Sequence, residues 1–214
     1  MTVTVNKWSG VQVAIQSALA AADTVSGVTK ADPGVVTATS HGISDGTFVK
    51  MTASGMHQID GRVFRVDNGA TNTFELEGEN TTSYDTFTSG TAEAITFGIT
   101  MTTATGLQAS GGDFDFIDVT TIHDNVRKQV PGVASAGVYT FECLWDPADA
   151  ALAALKAASD NQSQRCVKFT FASGAIVTFN GYVGCTLLPT GNAQDKVVTQ
   201  VTITMFGRPT IYSA

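Results

Sequence analysis

The sequence predicts a mainly β protein: a β-sandwich or barrel with one packed α-helix, plus a small inserted all-β domain. Three observations lead there. Charged residues make up only 14% of the chain, against about 25% in an average globular domain, and Thr, Ser, Val and 21 glycines take their place. Short β-branched runs recur along most of the length, separated by turn dipeptides. A single stretch, around residues 146–161, carries the punctuation of a helix.

Taken in order, Val11, Val13 and Ile15 alternate with Gln12, Ala14 and Gln16, which is the period of a half-buried strand. An alanine-rich stretch of undetermined type follows, and Asp23–Asp32 reads as a linker. From Gly34 to about Ile95 come the short strands VVTA, TFVKMT, RVFRV and TFELE, punctuated by His41-Gly42, Asp45-Gly46, Asp60-Gly61 and Asn68-Gly69. Asp-Gly and Asn-Gly supply the positive φ angles of tight turns. Residues 30–94 are therefore expected to form a small β-barrel-like module inserted between residues 1–29 and 95–214, which make the core domain. Longer strands are expected over Ala94–Met101, Gly137–Leu144, Cys166–Phe171, Ala175–Val183 and Val197–Phe206, with a hairpin at Ala172-Ser173-Gly174. In the helix, Asp146 is the expected cap, Pro147 suits the first position, Asp149 adds negative charge to the first turn, and Leu152 and Leu155 share a face. Ser159-Asp160-Asn161 ends it. Thr102–Ile122 and His123–Gly137 read as irregular segments, and long irregular segments in a compact domain are usually functional or ordered against a partner.

Composition also excludes. Twelve Lys and Arg against 19 Asp and Glu give a net charge of -7, which disfavours stable binding to phosphate backbones. Residues 30–95 hold four basic and nine acidic side chains, a balance of -5, leaving -2 for the rest. Cys143, Cys166 and Cys185 have no zinc-knuckle spacing, and their odd number suits buried thiols in a reduced compartment. Val11–Ala22 resembles a leader but is broken by Gln12, Gln16 and Ser17, and no run reaches the roughly 18 apolar residues of a membrane span.

No dinucleotide or P-loop glycine pattern, nucleophile elbow or paired-histidine zinc helix occurs, and no nucleophile stands beside a base. The chain is read as a non-enzyme without cofactor or metal. His41, His57 and His123 are widely spaced and read as turn or surface residues. Asp113, Asp115 and Asp118 alternate with Phe114, Phe116 and Ile117, which resembles a calcium loop but lacks its later Glu and its glycine spacing. A strand edge or loop whose aromatics dock on a neighbour, with wet carboxylates, fits better. Arg127 and Lys128, the only adjacent basic pair, are either a solvated face or intersubunit ion-pair donors. The candidate assembly residues are thus Phe114, Phe116, Ile117, Val119, Ile122, Arg127 and Lys128.

Phe116–Gly132 (FIDVTTIHDNVRKQVPG), the following GVYTFECLWDPADAALAALKAA, the hairpin at FASG and the ending VVTQVTITMFGRPT together resemble the tail tube proteins of long, non-contractile-tailed phages. The likeness covers about residues 95–214 and the first 25, and rests on the order of these features. Residues 35–78, with SHG, DG, IDGRVFRV and NTFELEG, resemble a small β-domain named after the ubiquitin-activating enzyme (the FCCH-like type), common as an insertion in phage structural proteins and free of that enzyme's chemistry. The resemblance implies hexameric rings stacked into a hollow tube for genome delivery, with the module on the outer surface. It further implies tape measure and tail terminator or initiator proteins as partners, and transient passage of DNA without specific binding. The site would be the virion tail, after synthesis in the host cytoplasm and without membrane insertion. Ring closure and stacking require heterologous interfaces, and interfaces of this kind bury on the order of 2,000 Å² or more. Two other readings stay open: a secretion-system tube, and a receptor- or carbohydrate-binding surface protein in which Phe74, Tyr84 and Phe87 stack on sugars.

Overall fold

A computed structural model describes residues 7–213. Strands account for 47% of it and helix for 7%, the mainly β class expected, with one α-helix among the described residues. The strands are β1 (Gln12–Ile15), β2 (Ala18–Leu19), β3 (Asp23–Val28), β4 (Val35–Ala38), β5 (Phe48–Ser54), β6 (Val63–Asp67), β7 (Thr73–Leu76), β8 (Ser89–Thr96) and β9 (Ile99–Met101). They continue as β10 (Ala104–Ser110), β11 (Phe114–Asp118), β12 (Gln129–Ala134) and β13 (Val138–Leu144). After the helix α1 (Ala150–Asp160) come β14 (Gln164–Thr170), β15 (Ile176–Cys185), β16 (Val198–Met205) and β17 (Thr210–Tyr212).

Two larger sheets divide these strands. The first runs β10-β13-β16-β15-β14-β1-β9, with β17 paired to the start of β15. Its terminal strands β9 and β10 are separated in the chain by only Thr102 and Thr103, so the sheet must roll towards closure. The Leu144 amide bonds to the Thr103 carbonyl at 2.8 Å, which extends the β10–β13 ladder into this link. Alternation places Tyr139, Phe141, Val167, Phe169, Val177, Phe179, Val201 and Ile203 inside, and α1 covers them with Ala151, Leu152, Leu155 and Ala158. The rings of Phe169 and Phe179 lie 5.6 Å apart, and Tyr139 stacks on Phe179 at 4.8 Å. Such pairs add about 0.5–1.5 kcal/mol each to their area burial.

The second sheet closes on itself. Its order is β8-β3-β4-β7-β6-β5, with β5 pairing back to β8 over seven residue pairs and β2 extending the edge of β8. Closure removes the open edges that a small sheet would otherwise expose. Val36, Met51, Ile59, Phe64, Phe74 and Leu76 fill the interior. Phe74 is fully buried there, and Tyr84 and Phe87 pack against the same cluster. Phe74 is therefore core and not free to stack on a sugar, while Tyr84 and Phe87 are half-buried against it.

Several sequence expectations need correction. Asp23–Asp32 is not a linker: Val25 is buried, and β3 pairs with both β4 and β8. Ala94–Met101 is not one strand, because the chain leaves the barrel at Phe97-Gly98 and enters the first sheet as β9. It makes that crossing beside the one at Gln16-Ser17. The Ser17 amide bonds to the Thr96 carbonyl at 2.8 Å, and the Gly98 amide to the Ser17 hydroxyl at 3.2 Å. The second sheet therefore spans Ala18 to Thr96. The helix cap is Asp149 rather than Asp146. Asp149 Oδ1 accepts from the Leu152 amide at 2.8 Å, while Asp146 closes the preceding turn by accepting from Ala148 at 2.9 Å. Leu152 and Leu155 share the buried face as expected.

The two sheets are welded where β14 and β15 are buried on both sides. Alternate residues of these strands, Cys166, Ile176, Thr178 and Asn180, face the barrel rather than the first core. A third apolar cluster of Phe48, Val63, Ile95, Cys166 and Tyr212 joins the two halves. Polar bonds cross the same contact. Asn180 Nδ2 donates to the Gly61 carbonyl at 3.3 Å, and the Arg65 amide donates to the Tyr212 hydroxyl at 2.6 Å. Gly61 has a φ of +67°, and a Cβ there would collide with the Phe206 ring. Arg62, almost fully buried, pairs with Glu79 and reaches Thr210 Oγ1 at 3.4 Å.

Candidate interaction surface

The two segments read as irregular are ordered. β10 and β11 on one side, and β12 and β13 on the other, form a long hairpin whose outer half is a separate two-stranded sheet. The bend lies at Gly111 and Gly112, both left-handed with φ of +79° and +87°. A Cβ on Gly111 would collide with the Ala136 carbonyl oxygen, so only glycine fits that bend. Past the bend the strands are tied again: the Gly112 amide bonds to the Ser135 carbonyl at 3.2 Å, and the Ser135 amide to the Asp113 carbonyl at 2.8 Å.

Beyond it Phe114 pairs with Ala134, Phe116 with Pro131, Ile117 with Val130 and Asp118 with Gln129, with a bulge between Phe114 and Phe116. Pro131 lacks an amide hydrogen, which an edge strand tolerates. Val119 N to Lys128 O at 2.9 Å closes the last rung. The tip is organised by Asp124, whose carboxylate accepts from the Thr121 amide at 3.0 Å and pairs with Lys128. Lys128 and Thr121 hold that carboxyl below its usual range.

All seven candidate residues lie on this hairpin. Its outer strands β11 and β12 contribute no buried residue, and around them Phe114 is 46% exposed, Phe116 62%, Ile117 56%, Val119 44% and Ile122 97%. Arg127 lies 3.6 Å from Asp118 with its side chain 81% exposed. Sequence reasoning missed Val126, Val130 and Val133, which are also exposed. The signal was present as alternation across Gln129–Ala134, but Pro131-Gly132 reads as a turn. It also missed exposed Leu144 and Trp145 at the opposite end of β13, and exposed Leu188 and Val197 in the segments tied to it. The Trp145 amide bonds to the Val197 carbonyl at 3.0 Å, and its indole N–H to the Leu187 carbonyl at 2.8 Å, which holds these residues together.

Elsewhere the chemistry is structural. Cys143, Cys166 and Cys185 are free and buried, as expected, and burial pushes the Cys166 thiol up to about 12 and that of Cys143 to about 11. His41 is a turn residue whose Nδ1 accepts from the Ile43 amide at 3.0 Å. Asp113, Asp115 and Asp118 line the exposed hairpin, and among the described residues no group of three His, Cys, Asp or Glu is arranged to hold a metal. No described helix is long and apolar enough to cross a membrane.

A two-stranded sheet without a core is marginal in water, and it presents unpaired edges to other chains. The hairpin is thus an exposed apolar element without a core of its own. A comparison with curated proteins finds no match. Residues 54–214, more than half of the chain, match a family model described as phage tail tube protein. That match starts at the last residue of β5, so it takes in β6, β7 and β8 of the barrel as well as the first sheet from β9 onwards.

Proposed function

Since the chain belongs to the phage tail tube protein family, a structural role in the virion tail is its premise, and we propose that the chain closes into hexameric rings that stack into the conduit for genome delivery. The exposed apolar hairpin carries this reading. Phe116, Ile117 and Ile122 stand in water on an element with no core of its own, and burial of such side chains contributes about 1.5–3 kcal/mol each. A closed ring needs two different, complementary surfaces on each subunit, and the hairpin supplies one. The seven candidate residues are its contact set, with Arg127 and Lys128 as ion-pair donors to a neighbour.

The barrel of residues 18–96, of which 35–78 resemble the FCCH-like β-domain, lies on the outer surface in this reading. Much of the chain's negative charge sits there, and three of its cations are already paired, Lys50 with Glu93, Arg62 with Glu79 and Arg65 with Glu77. The channel wall would then be the outer face of β10, β13 and β16, at the end of the first sheet away from the barrel. Pairing brings Gln108, Thr140, Glu142, Gln200, Thr202 and Thr204 onto that face. Its single carboxylate is neutralised by Lys196 at 2.8 Å. A wall without net charge does not hold DNA through counterion release. Tape measure and tail terminator or initiator proteins are the expected partners, and no catalytic role is assigned.

Electron microscopy of the purified chain, dilute and concentrated, tests the reading. Rings or tubes with a central channel are expected, and Ile117→Asp on the hairpin should abolish the tubes. Single subunits at every concentration would favour a non-polymerising binding protein. A tube map with β10, β13 and β16 facing outwards would overturn the channel assignment.

A further inference from the structure

A cavity of about 300 Å³ lies between the barrel and the segment that links β16 to β17. The barrel supplies His57, Gln58, Asp60, Arg62 and Tyr84, and the link supplies Gly207 and Arg208. That volume is at the lower end of the range for small-molecule sites, and junctions between two folded units are where such sites concentrate. Four of the polar side chains are already held. Arg62, 8% exposed, donates to the Gln58 carbonyl at 3.0 Å and pairs with Glu79. Gln58 Nε2 donates to Asp85 at 2.9 Å, the Tyr84 hydroxyl donates to Glu79 at 2.5 Å, and Asp60 Oδ1 accepts from the Ala53 amide at 2.9 Å. Among the described residues, Asp60 Oδ2, the His57 ring and the Arg208 guanidinium make no hydrogen bond and stand free at the cavity.

The charges of the wall select among ligands. Arg62 is neutralised by Glu79, and Arg208 is matched in number by Asp60, so no net field draws in an anion. An apolar guest would strand the free donors and acceptors. A neutral ligand with several hydroxyls satisfies both kinds, because each hydroxyl donates and accepts. We propose that this cavity binds a single sugar ring, with Asp60 Oδ2 accepting from one hydroxyl, Arg208 donating to another and the His57 ring bonding a third. The ligand meets walls that need little reordering, which favours binding by so small a group. The proposal goes beyond the structural role and does not depend on it, since every wall residue belongs to one subunit.

Saturation-transfer NMR on the full chain tests this, with the methyl glycosides of glucose, galactose, mannose and N-acetylglucosamine as probes. At least one should receive saturation at its ring protons, and its affinity should fall about tenfold or more in Asp60→Asn and in Arg208→Ala. Asp60→Asn keeps the oxygen that holds the Ala53 amide, and Arg208 is exposed, so both variants should melt like the parent. If Asp60→Asn melts early, His57→Ala takes its place, since His57 is also exposed, and should show the same loss. Arg127→Ala, on the hairpin, should bind as the parent does. Saturation of none of the four glycosides would overturn the proposal, and so would binding that survives both cavity substitutions. Binding of acetate that is lost in Arg208→Ala, with no glycoside bound, would make this a carboxylate site and overturn the sugar assignment.

Discussion

Asp149 shows how closely a single side chain's role depends on one turn of backbone. Its carboxylate accepts the Leu152 amide at 2.8 Å, satisfying one of the free donors at the start of α1, and its charge sits at the positive helix end. Asp149→Ala should therefore destabilise the protein by about 1 kcal/mol, and Asp146→Ala, which loses only a turn contact outside the helix, by less. Urea titrations of both variants check the order; a larger loss at Asp146 would return the cap to the earlier position. Gly61 and Gly111 carry the same lesson. Their sequence neighbourhoods look alike as turns, yet one glycine yields to the Phe206 ring and the other to a backbone oxygen.

At the scale of elements, the long hairpin from β10 to β13 is two structures divided by a bend. Its inner half belongs to the rolled sheet, where Leu107 pairs with Phe141 over the core. The outer half has no core and owes its order to ladder bonds and to the Asp124 carboxylate. Gly111→Ala should therefore leave the fold standing while redirecting the outer half, because a Cβ there cannot coexist with the Ala136 carbonyl. Little change in melting but a loss of tubes is the expected result. Unchanged tubes would show that the bend angle is not used in assembly. Pro131 explains why this element escapes sequence reasoning. Alternation across Gln129–Ala134 is a strand signal, but Pro-Gly is a turn signal, and only the absence of a ladder partner on the outer side lets proline stand in the strand.

For the whole molecule, the decisive feature is the weld between barrel and sheet. Tyr212 sits in it, pushed up to about 12 by desolvation, with the Arg65 amide donating to its oxygen. Desolvation likewise drives Cys166, in the same cluster, to about 12, and Cys143 in the first core to about 11. Each group is held protonated more tightly in the folded state than in the unfolded chain. The stability they contribute is thus complete below about pH 9 and is lost as pH rises through 11 and 12. Together this is on the order of several kcal/mol. Thermal melts by circular dichroism should be flat from pH 7 to 9 and fall steeply above 10. A flat profile to pH 12 would mean that water reaches these groups.

Sequence by itself determined the mainly β class, the alternating faces of β1, β13, β14, β15 and β16, the helix with its Leu152 and Leu155 face, the buried thiols and the stretch holding the exposed apolar residues. All of these are local: a period, a turn dipeptide or a run of side chains is enough to state them. Tertiary structure alone decided that Val25 and its neighbours are a barrel strand rather than a linker, that the chain crosses between sheets at Ser17 and Gly98, and that Phe74 is buried in a core with Tyr84 and Phe87 packed half-buried against it. It also decided that Trp145 is tied to the Val197 and Leu187 carbonyls, 52 and 42 residues away. The reason is physical. Which strand edge meets which, and which side chains share a patch, is settled by closure of sheets and by burial against residues far away in the chain, and no periodicity within a segment encodes its distant partner.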